Sequence, residues 1–470
     1  MLDKDIRIRP IRRRVTSHEP IRPQGAPPNS RHYHQGSWAS LERFDRRVFE
    51  LIEREYHRQN ETLQLIAAEN ICSKAVLAAL GSVVQNKTAE GVVGARYHGG
   101  CDMVDSLETL AIERAKQVFG ARYANVQPHS GTTANHIVLT AVLNKADKIL
   151  SLGLDQGGHV SHGAKVSFTG KCFDVEPYCV DPISHRLDYA RLALQAQTVR
   201  PKLIICGASA YPRQLDFDRF RTIADNVGAY LLADISHIAG LVAAGLHPSP
   251  IDQAHFTTTS TYKPGGPRGG LILMGRDFDE THHFGNEHPP LWELIDKATF
   301  PGLQGTPHLN NITAKAVFFR EMCMPEYRAR QHAIVDNAKA LADSLEKRGF
   351  EIVTGGTDTH MILIDVARFS EGLTGLIAQR ALEQCGIIVN MNRLPYDTKG
   401  QSITSGIRLG TPIITRNGMT PTDMVTIASL IHEALCSVKP QSDTEYHLKD
   451  TVRTDIQNGV RSLCRHFPMP

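Results

Sequence analysis

Apolar side chains recur at helical spacing through "SWASLERFDRRVFELIEREYHRQN", residues 37 to 60, which predicts amphipathic helix. Between about residues 120 and 275 the pattern changes, and short apolar runs alternate with helical stretches. That alternation predicts a parallel α/β sheet. The runs "KILSLG", "PKLIICGAS", "AYLLADIS" and "GGLILMG" are short, branched and closed by Gly, Ser or Asp, as fully buried strands are. Polar residues at the ends of such strands point to a ligand crevice. After "FPGLQGTPHLNNITAKAVFFREM" a long helix leads into "GFEIVTGGTDTHMILIDV" and "GIIVN", a second alternation of helix and strand. The expected organisation is a flexible basic arm over 1–34, a large domain over 35–309, a smaller C-terminal α/β domain over 310–440, and a polar tail over 441–470 ending in a helix.

Charge narrows the class. Across 470 residues, 52 Lys and Arg face 49 Asp and Glu, a net charge of +3 that gives no general drive toward nucleic acid or an anionic membrane. Nine cysteines occur without a CxxC pair or a tight Cys/His cluster, so neither a zinc site nor a disulfide framework is expected. There is no apolar run of membrane-span length and no secretory apolar core. The first 34 residues hold eight Lys and Arg, three Asp and Glu and five prolines. Asp3, Asp5 and the prolines oppose an amphipathic presequence. A cytoplasmic enzyme acting on small molecules is the expectation.

The candidate chemistry centres on "TTTSTYKPGGPRGG", where Lys263 stands among small, neutral residues. Such a setting depresses the lysine pKa, and a free amine forms a Schiff base with an aldehyde, most commonly pyridoxal 5'-phosphate. Taken alone, a solvated lysine in a glycine loop reads the same way. Asp234 closes the apolar run "LLADISH" 29 positions earlier. A buried carboxylate needs a partner, which the cofactor's cationic ring nitrogen would be, although Asp also caps helices. In "QPHSGTTANHIVLTAVL", Ser130, Gly131, Thr132 and Thr133 precede a helical pattern and offer N–H groups and hydroxyls to a phosphate, as any capped helix would. His159 follows two glycines in "DQGGHVSHG", suited to stack over a planar ring. Arg408 in "TSGIRLGTP" suits bidentate capture of a carboxylate, or a surface salt bridge.

With these residues in hand, the chain resembles the serine hydroxymethyltransferase family from about residue 40 to 440. The resemblance rests on "LIAAENICSKAVLAALGS", "NKTAEGVVGARYHGGCDMVDSLETLAIERAKQVFG", "YANVQPHSGTTAN", "GGHVSHG", "KLIICGASAYPR", "DISHIAGLVAAGLHPSP", "KPGGPRGGLI", "FPGLQGTPH" and "TSGIRLGTP". It implies a fold-type-I pyridoxal-phosphate transferase with a mostly parallel seven-stranded sheet. It also implies a homodimer or homotetramer with active sites shared between subunits. By the same resemblance Lys263 is the Schiff-base lysine, Asp234 pairs with the pyridine nitrogen and His159 stacks on the ring. Ser209 and His237 face the phenolic oxygen, and Ser130 and Gly131 the phosphate, which Tyr97 and Gly302 reach from the partner chain. Arg408 matches the substrate-carboxylate arginine, Glu90 the acid/base glutamate, and Leu154, Gly158 and Asn392 the positions that contact tetrahydrofolate.

Departures from the family pattern cluster near the substrate. Ala68 and Thr88 stand where the family usually has Ser and Tyr, His98 where it has Tyr, and Tyr262 where it has His. Lys263 and Arg268 are five positions apart, one fewer than usual. Replacing a Tyr ring by Thr88 makes room for a methyl on the substrate's α-carbon. Forcing a methyl into a packed site costs about 1 to 3 kcal/mol, against about 0.8 kcal/mol gained by burying one methylene. These positions lead to the expectation of a 2-methylserine hydroxymethyltransferase that releases D-alanine. The alternatives are an ordinary serine/glycine enzyme, a threonine-type aldolase or transaldolase, and, more distantly, a non-catalytic regulatory or RNA-binding paralogue using the basic arm.

Overall fold

The computed structural model describes residues 37–282 and 289–470, so the arm expected over 1–34 lies outside the described residues. Seven strands form the large sheet: β1 (Tyr123–Asn125), β2 (Lys148–Leu152), β3 (Asp174–Tyr178), β4 (Leu203–Cys206), β5 (Tyr230–Asp234), β6 (Phe256–Ser260) and β7 (Gly270–Met274). Their order is β1-β7-β6-β5-β4-β2-β3. Only the pairings of β7, with β1 and β6, are antiparallel. The sheet is therefore mixed but mostly parallel.

Burial on both faces explains the composition of the central strands. All of Leu203–Cys206 and Gly270–Met274 is buried, and these segments read as unbroken apolar runs. β6, "FTTTS", is equally buried although three of its five residues are threonines. The Thr258 hydroxyl donates to Asn135 Oδ1 at 2.5 Å and the Thr259 hydroxyl to the Ser260 carbonyl at 2.8 Å. β3 was not expected from the apolar pattern: it is a largely exposed edge strand carrying Pro177, and an edge strand need not alternate or be apolar.

Helices α1 (Ser37–Phe44) and α2 (Arg46–Glu61) occupy the stretch read as helical, with Asp45 capping α2 through the Val48 N–H at 3.1 Å. α3 (Asp102–Phe119) and α4 (Gly131–Val142) follow. α5 (Leu309–Met322) buries Leu309, Ile312, Phe318 and Phe319 in the core of the large sheet, so that core continues past residue 310.

A four-stranded antiparallel sheet stands at the C-terminal side, from β8 (Glu351–Ile352), β9 (Met361–Asp365), β10 (Asn390–Asn392) and β11 (Gly406–Gly410), in the order β8-β9-β11-β10. Its separate core takes in α6 (Pro421–Cys436) and the terminal helix α7 (Asp450–His466), which contributes Ile456, Val460 and Cys464 at intervals of four. Leu63 and Leu65 join this core from far upstream. Their segment runs beside Ile387–Ile388 in parallel, and the Leu65 carbonyl accepts from Gly410 N at 2.8 Å. No described helix is long and apolar enough to cross a membrane.

Candidate active site

The C-terminal ends of β5 and β6 and the N-terminus of α4 meet at one cavity of about 220 Å³. Ser130, Gly131, His159, Ser209, Asp234, His237, Tyr262 and Lys263, all named from sequence, line it. Thr132, His162, Ser236, Ser260 and Arg268 complete most of the wall. Arg408, central in β11, adjoins the cavity and donates from Nη1 to the Ser209 carbonyl.

Asp234 is almost fully buried. Its Oδ2 accepts from His162 Nε2 at 2.9 Å and Asn135 Nδ2 at 2.8 Å, and its Oδ1 from the Ser236 N–H at 2.9 Å. Burial alone would raise this carboxyl, but the His162 and Asn135 hydrogen bonds prevail and hold it far below the usual range. His162 and Asn135 were not singled out from sequence. The only signal was the second histidine of "HVSH", three positions after His159. The His159 Nδ1 lies 2.8 Å from the Ser161 hydroxyl, and burial lowers its pKa to about 4, keeping the ring neutral.

Ser130 caps α4, its Oγ accepting from the Thr133 N–H at 3.0 Å. A methyl on Gly131 would crowd the wall, lying 3.1 Å from Ser260 Cβ and 3.3 Å from Ser236 Oγ. Two wall atoms, His237 Nδ1 and Ser260 Oγ, are buried without a partner among the described residues. A helix N-terminus for a phosphate, a buried anion for a cationic ring nitrogen, unpartnered polar atoms and an amine of depressed pKa together fit pyridoxal phosphate.

Burial lowers Lys263 to about 8, with Asp234 opposing and Arg408 reinforcing the shift. Above that pH the amine is free, and below it the free fraction falls about tenfold per pH unit. The rate at which the apoenzyme captures pyridoxal phosphate, followed by stopped-flow absorbance, is therefore expected to climb with pH and level off near 8. A rate still climbing at pH 10, the behaviour of an ordinary lysine, would contradict this. The Arg268 guanidinium lies 4.6 Å above the Tyr262 ring, so Tyr262 holds this arginine at the end of the loop that follows Lys263.

Other candidates lie elsewhere. Thr88, Glu90, Tyr97, His98 and Gly302 do not line this cavity. Tyr97, 63% exposed, packs on Phe300 at 5.4 Å, and the Glu90 N–H points to His98 Nδ1 at 3.4 Å. Glu90 Oε1 accepts from the Thr306 hydroxyl at 3.4 Å, so these residues form one surface cluster. Thr88 and His98 are exposed on it. Leu154 and Gly158 sit beside the His159 turn, and a methyl on Gly158 would lie 2.1 Å from the Leu152 carbonyl, which already explains that glycine. Asn392 ends β10 and donates to the Arg393 carbonyl at 2.7 Å. Ala68 is half-buried, next to Ala67, whose Cα lies 2.4 Å from where a Gly410 methyl would be.

Comparison with known proteins matches residues 41–431 to the serine hydroxymethyltransferase family. The chain is similar to a serine hydroxymethyltransferase of Methanosarcina barkeri (strain Fusaro), 46% identical over 430 residues that span 91% of this chain and 99% of that protein.

Proposed function

The chain belongs to the serine hydroxymethyltransferase family, and from that premise we propose that its preferred amino acid is 2-methylserine, converted with tetrahydrofolate to D-alanine, methylenetetrahydrofolate and water. It is a pyridoxal-phosphate-dependent hydroxymethyltransferase with tetrahydrofolate as cosubstrate. When bound, the cofactor supplies an electron-withdrawing ring that accepts the charge left at Cα when the Cα–Cβ bond breaks.

The residue roles combine this chain's chemistry with the positions that the family resemblance implies. Lys263 would anchor the cofactor, Asp234 would keep its ring nitrogen protonated, and His159 would cover the ring. Ser130 and Gly131 would hold the phosphate, and Ser209 and His237 would face the phenolic oxygen. Arg408 holds the substrate carboxylate, its Nε fixed by Asn390 Oδ1 at 3.1 Å. Glu90 moves the proton at the substrate hydroxyl, and Leu154, Gly158 and Asn392 border the folate. The Glu90 cluster lies away from the Lys263 cavity of its own chain, which supports a homodimer or dimer of dimers in which a second copy brings Thr88, Glu90, Tyr97, His98 and Gly302.

The observation that carries the 2-methylserine reading is Thr88 in place of a tyrosine, joined by Ala68, His98 and Tyr262. The second reading, ordinary serine and glycine, is favoured by the name of the 46% identical relative. Purified holoenzyme is given tetrahydrofolate with either 2-methylserine or serine, and D-alanine and glycine are quantified by chromatography. A higher kcat/KM for serine overturns the proposal. Thr88→Tyr should lower the 2-methylserine to serine ratio of kcat/KM by about 5- to 150-fold, the equivalent of about 1 to 3 kcal/mol of overpacking. If both substrates suffer equally, Thr88 does not select between them.

A further inference from the structure

Lys315, on α5, is 1% exposed, and no step described so far uses it. Its ammonium donates to three carbonyls: Val126 at 2.6 Å, Gly270 at 2.7 Å and Pro128 at 3.3 Å. The carboxylate whose charge it feels, Glu108, is engaged by Arg96 and by Gln127 Nε2. Burial draws Lys315 down to about 7, with Glu108 opposing. Three acceptors favour the ammonium, because a neutral amine has only two N–H bonds and would turn its lone pair on the third oxygen.

The three carbonyls are not scattered. Val126 and Pro128 belong to the short segment between the end of β1 and Ser130, and Gly270 opens β7. The Gly270 N–H also donates to the Pro128 carbonyl at 2.8 Å, and a methyl on Gly270 would lie 2.2 Å from the Ser130 carbonyl. The ammonium thus joins α5, β7 and the segment that delivers the Ser130 cap. A positive charge in a dry interior also favours a phosphate dianion nearby far more than it would in water.

We propose that Lys315 is a positioning residue for the cofactor phosphate, holding the Val126–Pro128 segment on β7 so that Ser130 and Gly131 face the cavity, and placing a positive charge behind them when protonated. This rests on reading Ser130 and Gly131 as the phosphate cradle. The test is equilibrium dialysis of apoenzyme against pyridoxal phosphate and against pyridoxal, which lacks the phosphate. Lys315→Met should weaken pyridoxal phosphate binding about tenfold or more, the loss of a charged group's hydrogen bonds, and change pyridoxal binding less than about twofold. Lys315→Gln, which keeps two donors without the charge, should fall between. A third variant, Gly269→Ala, perturbs from the other side, because its methyl would lie 2.4 Å from Lys315 Cε and 2.8 Å from Nζ. It should move the ratio in the same direction with the charge still present.

A purely structural lysine would lower the melting temperature of these variants and leave the ratio of the two dissociation constants at its parental value. That outcome, in whichever variants fold, overturns the proposal. Ser130→Ala separates the premise from the inference. If it leaves the ratio unchanged the cradle reading fails, and if it shifts the ratio while the Lys315 and Gly269 variants do not, only the inference about Lys315 fails.

Discussion

Lys263→Met is expected to lower kcat by at least about 10³-fold while leaving the apoenzyme folded and no less stable at pH 7. The activity loss follows from chemistry that no neighbour replaces. His159 is neutral and short of a free primary amine, Arg408 stays protonated and is occupied by Ser209 and Asn390, and Lys315 is held by three carbonyls. The stability sign runs opposite to that of most site mutations. The folded pKa of Lys263, about 8, lies below its ordinary value of 10.5. The folded apoenzyme therefore carries an electrostatic penalty that is complete below pH 8, shrinks between the two values and is gone above 10.5. Removing the charge relieves up to about 3 kcal/mol at pH 7. Thermal melts of the two apoenzymes at pH 7 and pH 10, beside steady-state kinetics, check both halves. A Met variant that keeps a tenth of parental kcat refutes the assignment of Lys263 as anchor.

The ease with which this lysine was found, and the difficulty with others, has a physical basis. Asp234 closes a strand whose apolar run is visible in the chain, which makes it a natural suspect, whereas Lys263, three positions past the threonine-rich β6, stands out as a lone charge among small, neutral residues. The parallel core was readable for the same reason, since strands buried on both faces usually read as continuous apolar runs. Strand β6 hid behind its threonines because their hydroxyls are satisfied inside the fold, by Asn135 for one, and periodicity carries no trace of that. Asn135, His162 and Lys315 owe their importance to partners far away in sequence, 99, 72 and up to 189 positions apart. Thr88 and Glu90 present the opposite case. The family pattern draws attention to them, yet their own chain leaves them outside the Lys263 cavity, so their chemistry depends on what faces that surface.

Asp234→Asn should cost about 10² to 10³-fold in kcat and also destabilise the protein, and the two effects have different origins. Asparagine keeps the shape but removes the charge that would hold the ring nitrogen protonated, weakening the ring's pull on electrons. It also disturbs a closed hydrogen-bond set. Oδ2 takes two donors and Oδ1 one, so wherever the new NH2 group points it meets His162 and Asn135 or the Ser236 N–H, a donor facing a donor. Each buried group left unpaired costs about 1 to 3 kcal/mol. The pH dependence follows from the carboxyl being held far below its ordinary value of 3.8. Its stabilising contribution is complete above about pH 4 and is lost only as the solution becomes more acidic than that. The parent and Asp234→Asn proteins should therefore differ by a constant melting-temperature gap from pH 5 to pH 8, closing under stronger acid. A gap that opens across neutral pH would contradict this. Asp234→Asn with parental kcat would remove the carboxylate from the chemistry and leave it as a strut for the β5 end of the cavity.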